Sequence, residues 1–410
     1  MLRVRVAKAT PRGPRTAGGA GAGIGALANA LAKAGVSDPG GQRISDAVVF
    51  AASGGIGFHY VVVGSGRAAR MILEGTARGS SARTDLVDET AARLGATVEI
   101  EAFDDEVSAE NALVGHVQAG AAAVVWVDRA SLPYDRMPRG YERTLAHLVG
   151  VVGCDLASEE LRLDDRAARP LPIDATRLRL VRALAPVARS RLGVVRAGAP
   201  MPAPVFGARI LASLAAGAAA HVGSPLGNRG VAGMRTLALR IRDPSPPLAW
   251  RRLYGRSVAL FHAHAALYRY IEEGTGTGFG RALLADALVE LGTWLNRPDL
   301  AAQAAVLRAL AARWTTLAHA ALPDSVANFG AVRRLLAERH RMFLAEGLDN
   351  SAGLAEMSDR LARLTAGIER DFPVDGAAIA LFHGELAASI EGLAASEAEA
   401  ATTLSELCRA

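Results

Sequence analysis

The chain has 410 residues, with 46 basic and 41 acidic side chains, a net charge of +5, half of its residues apolar and 5% aromatic. This balance excludes global disorder, and the length admits two domains with a large core. The basic residues are scattered arginines, Lys8 and Lys33 being the only lysines, so no nucleic-acid partner is expected.

In chain order, the first 37 residues hold no acid but carry Arg3, Arg5, Lys8, Arg12 and Arg15. That composition resembles a transit peptide, yet the following stretch GGAGAGIGALANALAKAG is too weakly apolar for a secretory segment. No apolar run approaches the roughly 20 residues of a membrane-spanning helix, so a cytoplasmic protein with no membrane partner is expected. Gly19, Gly23 and Gly25 imitate the turn of a short-chain dehydrogenase. However, ATPRGPRTA in front of them cannot form the buried strand that aims such a helix at a phosphate. Tyr134 and Tyr141 also lack the lysine one helical turn on that such an enzyme needs.

DAVVFAASGGIGFHYVVVGSG then gives two apolar runs, from Ala47 and from Phe58, that read as strands around a glycine bend. The second run leads into Gly64, Gly66 and Ala69, a G-x-G-x-x-A pattern that keeps an NAD(P)-dependent enzyme open as a minor alternative. Helices follow at 84–94 and 108–119. GAAAVVWVD and AHLVGVVGCD are buried-strand candidates closed by Asp128 and Asp155, and LRLDD is a fifth. Proline-rich breaks occupy about 170–250. Beyond Trp250, four long stretches with helical spacing stop at Gly274, Asn296, Pro323 and Gly347. Within them, Glu272, Glu273 and Arg281 read as exposed polar points around GTGTGFG. The expected architecture is α+β, with a first domain at 1–175 and an all-α bundle at 176–410. Cys154 and Cys408 are far apart and show no metal-ligand spacing, so neither a disulfide framework nor a metal or other cofactor is expected.

The chemistry concentrates between the fourth and fifth strands. His147 opens one strand of a hairpin, and Asp164 and Asp165 close its neighbour, so an imidazole can lie beside a carboxylate. In acyl transfer, such a histidine acts as base while the aspartate fixes its tautomer. The alternative is a buried strand histidine of structural role.

ISDAVVFAASGGIGFHY, VVWVDRASLPY, AHLVGVVGCD and LRLDDRAARPL resemble, in that order, the family of the butirosin-biosynthesis protein H N-terminal domain. SPLGNRGVAGMRTLA and YIEEGTGTGFGRALLADAL are similar to the uncharacterised helical domain often fused to it. The resemblance implies a papain-like first domain, a helix packed on an antiparallel sheet. It also implies transfer of a thioester-bound acyl group from an acyl carrier protein to a small amine. In that scheme a cysteine at a helix N-terminus attacks, because the helix end and a neighbouring imidazolium favour the thiolate. By position, His147 matches the base and Asp165 the orienting acid, with Asp164 the weaker match. The family's helix opens with a His-Cys pair shortly before an L-x-N-x-L segment. Here LANAL is present and the pair falls on Gly21 and Ala22, so alanine stands at the nucleophile position.

No other residue takes its place. Cys154 lies on the strand of His147, about 20 Å along it at some 3.3 Å per residue. Cys408 is in the C-terminal tail, Ser53 and His59 flank the glycine bend, and Thr16 lies upstream of the glycines. The sequence therefore predicts a weakened acyltransferase that forms no acyl-enzyme. A non-catalytic partner that holds a carrier protein or substrate is the alternative.

Overall fold

A computed structural model describes residues 19, 21, 23–65, 69–76, 84–142, 146–185 and 188–410. The first helix, α1 (Ile24–Lys33), begins where the glycines fold back on themselves. A Cβ on Gly25 would stand 2.3 Å from the Cα of Gly19, so the spacing serves a close backbone approach within the turn. The run from Ala47 is a helix, α2 (Asp46–Ala52), and not the strand expected from its β-branched residues. Ser45 caps it by accepting from the amide of Val48, and Asp46 sits favourably in its first turn. Since the whole helix is enclosed, its apolar residues show no helical period to read.

The second run is a strand, β1 (Ile56–Val63), paired antiparallel with β2 (Arg70–Thr76). Val63 stands opposite Arg70, so Gly64 and Ala69 belong to the connection of a β-hairpin, while Gly66 lies outside the described residues. A dinucleotide cradle needs the strand to run into a helix. The NAD(P) alternative is therefore set aside.

After α3 (Thr84–Arg93), a six-stranded antiparallel sheet is built from β3 (Ala96–Glu101), β4 (Ala122–Asp128), β5 (Ala146–Asp155), β6 (Glu160–Asp164), β7 (Leu171–Asp174) and β8 (Leu192–Ala197). Its order is β3-β8-β4-β5-β6-β7. The fifth expected strand, LRLDD, is β6. The strand that fills the gap between β3 and β4 comes from beyond residue 175, so the expected boundary cuts through the sheet's own chain. Proline and glycine around it mark loops of the sheet domain and not an interdomain linker. One face of the sheet carries α1 against Val124, Trp126 and Leu148. The opposite face packs Val125, Val127 and Val149 against α4 (Glu106–Gln118) and α5 (Ala175–Ala183).

The remainder is helical: α6 (Ala203–Gly223), α7 (Gly230–Arg242), α8 (Trp250–Tyr254), α9 (Val258–Glu273), α10 (Arg281–Leu295), α11 (Pro298–Ala321), α12 (Phe329–Glu346), α13 (Ser351–Arg370) and α14 (Gly376–Leu407). Gly255, at φ 59°, splits the first expected long helix into α8 and α9. Gly347 and Asn296, both left-handed, close α12 and α10 where the sequence placed stops. α6 and α14 reach the length and apolarity of a membrane span, against the expectation of short runs only. Both use that apolarity in the bundle, where α14 packs on α6, α7 and α11. The β1–β2 hairpin and α2 are inserted among α6, α7, α9 and α10, and one apolar cluster runs from α1 through them into the bundle.

Glu273 and Arg281, expected to be exposed, are buried. Arg281 donates to the carbonyls of Gly57 at 2.9 Å and Gly75 at 3.2 Å, so a helix of the bundle grips both strands of the hairpin. Glu273 accepts from Arg269, and Glu272 from the Thr315 hydroxyl.

Candidate active site

Antiparallel register builds the centre of this site. β5 and β6 pair with Gly150 opposite Asp164, so Asp165 continues the strand and lies diagonally across from His147. At that spacing the side chains meet, with Nε2 of His147 2.8 Å from Oδ1 of Asp165. Arg166 donates to the same carboxylate at 3.3 Å and also reaches Asp135, to which Arg129 donates at 2.8 Å. The guanidinium of Arg166 lies over Phe343 of α12, and Tyr134 stacks on the same ring. The network thus ties the sheet to the bundle.

The charges set one another's state. Burial would push the Asp165 carboxyl up, but Arg166 and His147 outweigh it and hold the acid well below the usual carboxylate range. For His147, burial lowers the pKa and Asp165 only partly restores it, so the ring is neutral at pH 7. An ionised carboxylate at Nε2 places the ring proton there. The lone pair is then on Nδ1, which has no hydrogen-bond partner among the described residues. Chemically, this is a base with its tautomer fixed. It is also sealed, with His147 1% exposed.

The two aspartates divide between the faces. His147 is opposite Val127 and shares its face, the one covered by α4 and α5. Asp164 points the other way, towards Asn29 of α1, and burial raises its carboxyl to about 7. The amino end of α1 approaches on that second face, where Gly23, Ile24 and Leu27 line a small apolar cavity with Leu148. Ala22 itself and Thr16 lie outside the described residues. Next to Ala22, Gly21 takes φ 90°, and a Cβ there would stand 3.0 Å from the Cα of Thr275, so this turn packs on the glycine loop before α10.

The other candidates have local tasks. Ser53 donates its hydroxyl to the Phe50 carbonyl at the end of α2. His59 sits on β1 beside Asn228 and Glu74. Cys154 is near the far end of β5 from His147, and burial pushes the Cys408 thiol up to about 12, leaving it unreactive. Sequence reasoning missed Arg129, Asp135 and Arg166. Their signal was the density of charge in VDRASLPYD and DDR, which reads as solvated loop until the fold buries it.

Residues 22–166 match the family described as butirosin biosynthesis protein H, N-terminal, and residues 176–346 match a domain of unknown function (DUF4872). The second match contains β8, so the sheet of the first region is completed by the second. No curated protein matches the chain.

Proposed function

We propose, from the match of residues 22–166 to the butirosin biosynthesis protein H N-terminal family and of residues 176–346 to the domain of unknown function that follows it, an acyltransferase-like protein of a biosynthetic pathway that has given up the covalent step. On this reading it acts in the cytoplasm, where it holds an acyl donor on a carrier protein, or the amine acceptor, and forms no acyl-enzyme. One observation carries the reading. Alanine stands at position 22, and neither cysteine of the chain can reach His147. The sealed imidazole, on the face of the sheet opposite α1, supports it further.

A second reading keeps residual catalysis, with His147 deprotonating an amine that attacks the thioester directly. The unpartnered Nδ1 and its fixed tautomer favour it, and binding with oxyanion stabilisation alone can retain about 10³-fold acceleration. The two readings separate in one experiment. The purified chain is incubated with a short-chain acyl thioester of N-acetylcysteamine and an amine, then followed by intact mass and by amide formation. The first reading expects no acyl adduct and amide at the background rate. Amide formation that His147→Ala abolishes establishes the second. A stable adduct on the protein overturns both.

A further inference from the structure

One well-formed hollow lies away from His147. A cavity of about 330 Å³ lies between β2, residues 139–142 and the helices α8 and α9. That volume is at the lower end for small-molecule pockets, which run from about 300 to 1,000 Å³. Its floor is apolar, made of Met71, Ala259, Ala263 and Ala266.

Two buried polar atoms in its wall are unsatisfied. Tyr254 is 2% exposed, and its hydroxyl has no hydrogen-bond partner among the described residues. The same holds for Nδ1 of His262. Gly140 presses on the other edge of that imidazole, where a Cβ would come within 2.2 Å of Nε2, so Nδ1 is the ring nitrogen left for a ligand. Burial holds this histidine at about 4, assisted by the charge of Arg70, and the ring is therefore neutral at pH 7. Arg70 lines the same cavity as Tyr254 and His262, and its charge acts on the Tyr254 phenol as well. Glu142, the acid in the lining, accepts from the Gly140 amide, and Arg269 is bound by Glu273. A buried polar atom left unpaired is destabilising, and a ligand oxygen would relieve that cost.

We propose that this pocket binds a small organic carboxylic acid, its carboxylate taken by Arg70, the Tyr254 hydroxyl and His262 Nδ1, its apolar body lying on Met71, Ala263 and Ala266. Arg139 also lines the cavity, and the apolar floor suits the body of an organic acid better than inorganic phosphate. The site is separate from the His147–Asp165 pair, and its occupancy does not depend on whether that pair is catalytic.

The test is isothermal titration of the full chain with benzoate, octanoate, benzamide and inorganic phosphate, each paired with a thermal shift. At least one carboxylate is expected to bind with a Kd between about 10 μM and 1 mM, and to raise the melting temperature. Benzamide and phosphate are expected to give neither signal. Arg70→Gln should weaken binding about tenfold or more, the equivalent of a lost charge-assisted hydrogen bond. Tyr254→Phe should weaken it several-fold while leaving the unliganded melting temperature unchanged or higher, because the hydroxyl has no partner to lose. Ala266→Phe fills the floor and should abolish binding. The proposal is overturned if neither carboxylate binds at about 10 mM, if benzamide or phosphate binds as well as the carboxylates do, or if binding survives both Tyr254→Phe and Ala266→Phe. Should Arg70→Gln fail to fold, the other two variants decide.

Discussion

Glu397 of α14 is fully enclosed, at 0% exposure, and its carboxylate is the meeting point of four elements. Nε and one terminal nitrogen of Arg281 each donate to it at 2.7 Å, the Trp314 indole donates at 2.7 Å, and His221 stands at 3.0 Å. Arg281 in turn holds the β1–β2 hairpin through backbone carbonyls, over the rings of Phe279 and Trp314. Glu397→Gln therefore leaves a guanidinium buried without its counter-charge. Breaking a buried pair by removing one partner costs about 3–5 kcal/mol. The glutamine keeps one carbonyl as acceptor but turns an amide towards the arginine, so a loss of about 3 kcal/mol is expected, out of a total of some 5–15 kcal/mol. Urea denaturation at pH 7 should show a lower midpoint at unchanged slope. The pH dependence carries a second signature. Burial would raise the Glu397 carboxyl, but Arg281 and His221 outweigh it and hold it well below its ordinary range. A depressed carboxylate stabilises fully above its unfolded pKa, near 4.5, and that stability is lost as pH falls through the folded value. The variant should lack this acid limb. A loss below about 1 kcal/mol, the range of an exposed ion pair, would refute the assignment of the network as the pin between hairpin and bundle. Replacing both partners, Arg281→Met with Glu397→Leu, should recover part of the loss.

Two further predictions follow from buried groups on either side of the molecule. His264 and His383 meet at 3.2 Å through their Nε2 atoms, and burial lowers both, His383 to about 4. The unfolded chain takes up these protons below about 6.5 while the folded one does not, so stability should fall from pH 6.5 to 4, by about 3 kcal/mol for His383. A melting temperature that changes no less in His264→Phe than in the parent over that window would contradict this. Asp164 shows the opposite sign, because burial raises it from 3.8 to about 7. Between those values the folded state keeps a proton the unfolded state has lost, so stability declines as pH rises. Asp164→Asn should gain up to about 4 kcal/mol at pH 8 and little at pH 4 in paired denaturation curves, and an equal effect at both would exclude the cause given.

Local patterns carried much of the architecture. Valine-rich runs closed by aspartates became β4 and β5, the LRLDD run became β6, and the hairpin between the last two brought His147 to Asp165, because strand period and a short connection suffice to set which side chains share a face. The alanine at position 22, just ahead of the LANAL helix, is plain in the sequence itself. The α2 run misled because a helix enclosed on all sides has no polar face, and a cap at Ser45 outweighs the strand preference of two valines.

Sequence alone determined the fold class and the order of the two regions, since these depend on residue type and on contacts close along the chain. Only the tertiary structure decided that β8 crosses back into the sheet and that Arg281 and Glu397 meet across 116 residues. It also decided that Tyr254 and His262 share a hollow with Arg70. The physical reason is the same in each case. A buried charge or unsatisfied donor acquires its meaning from the groups that exclude water around it, and those groups come from segments with no local pattern in common.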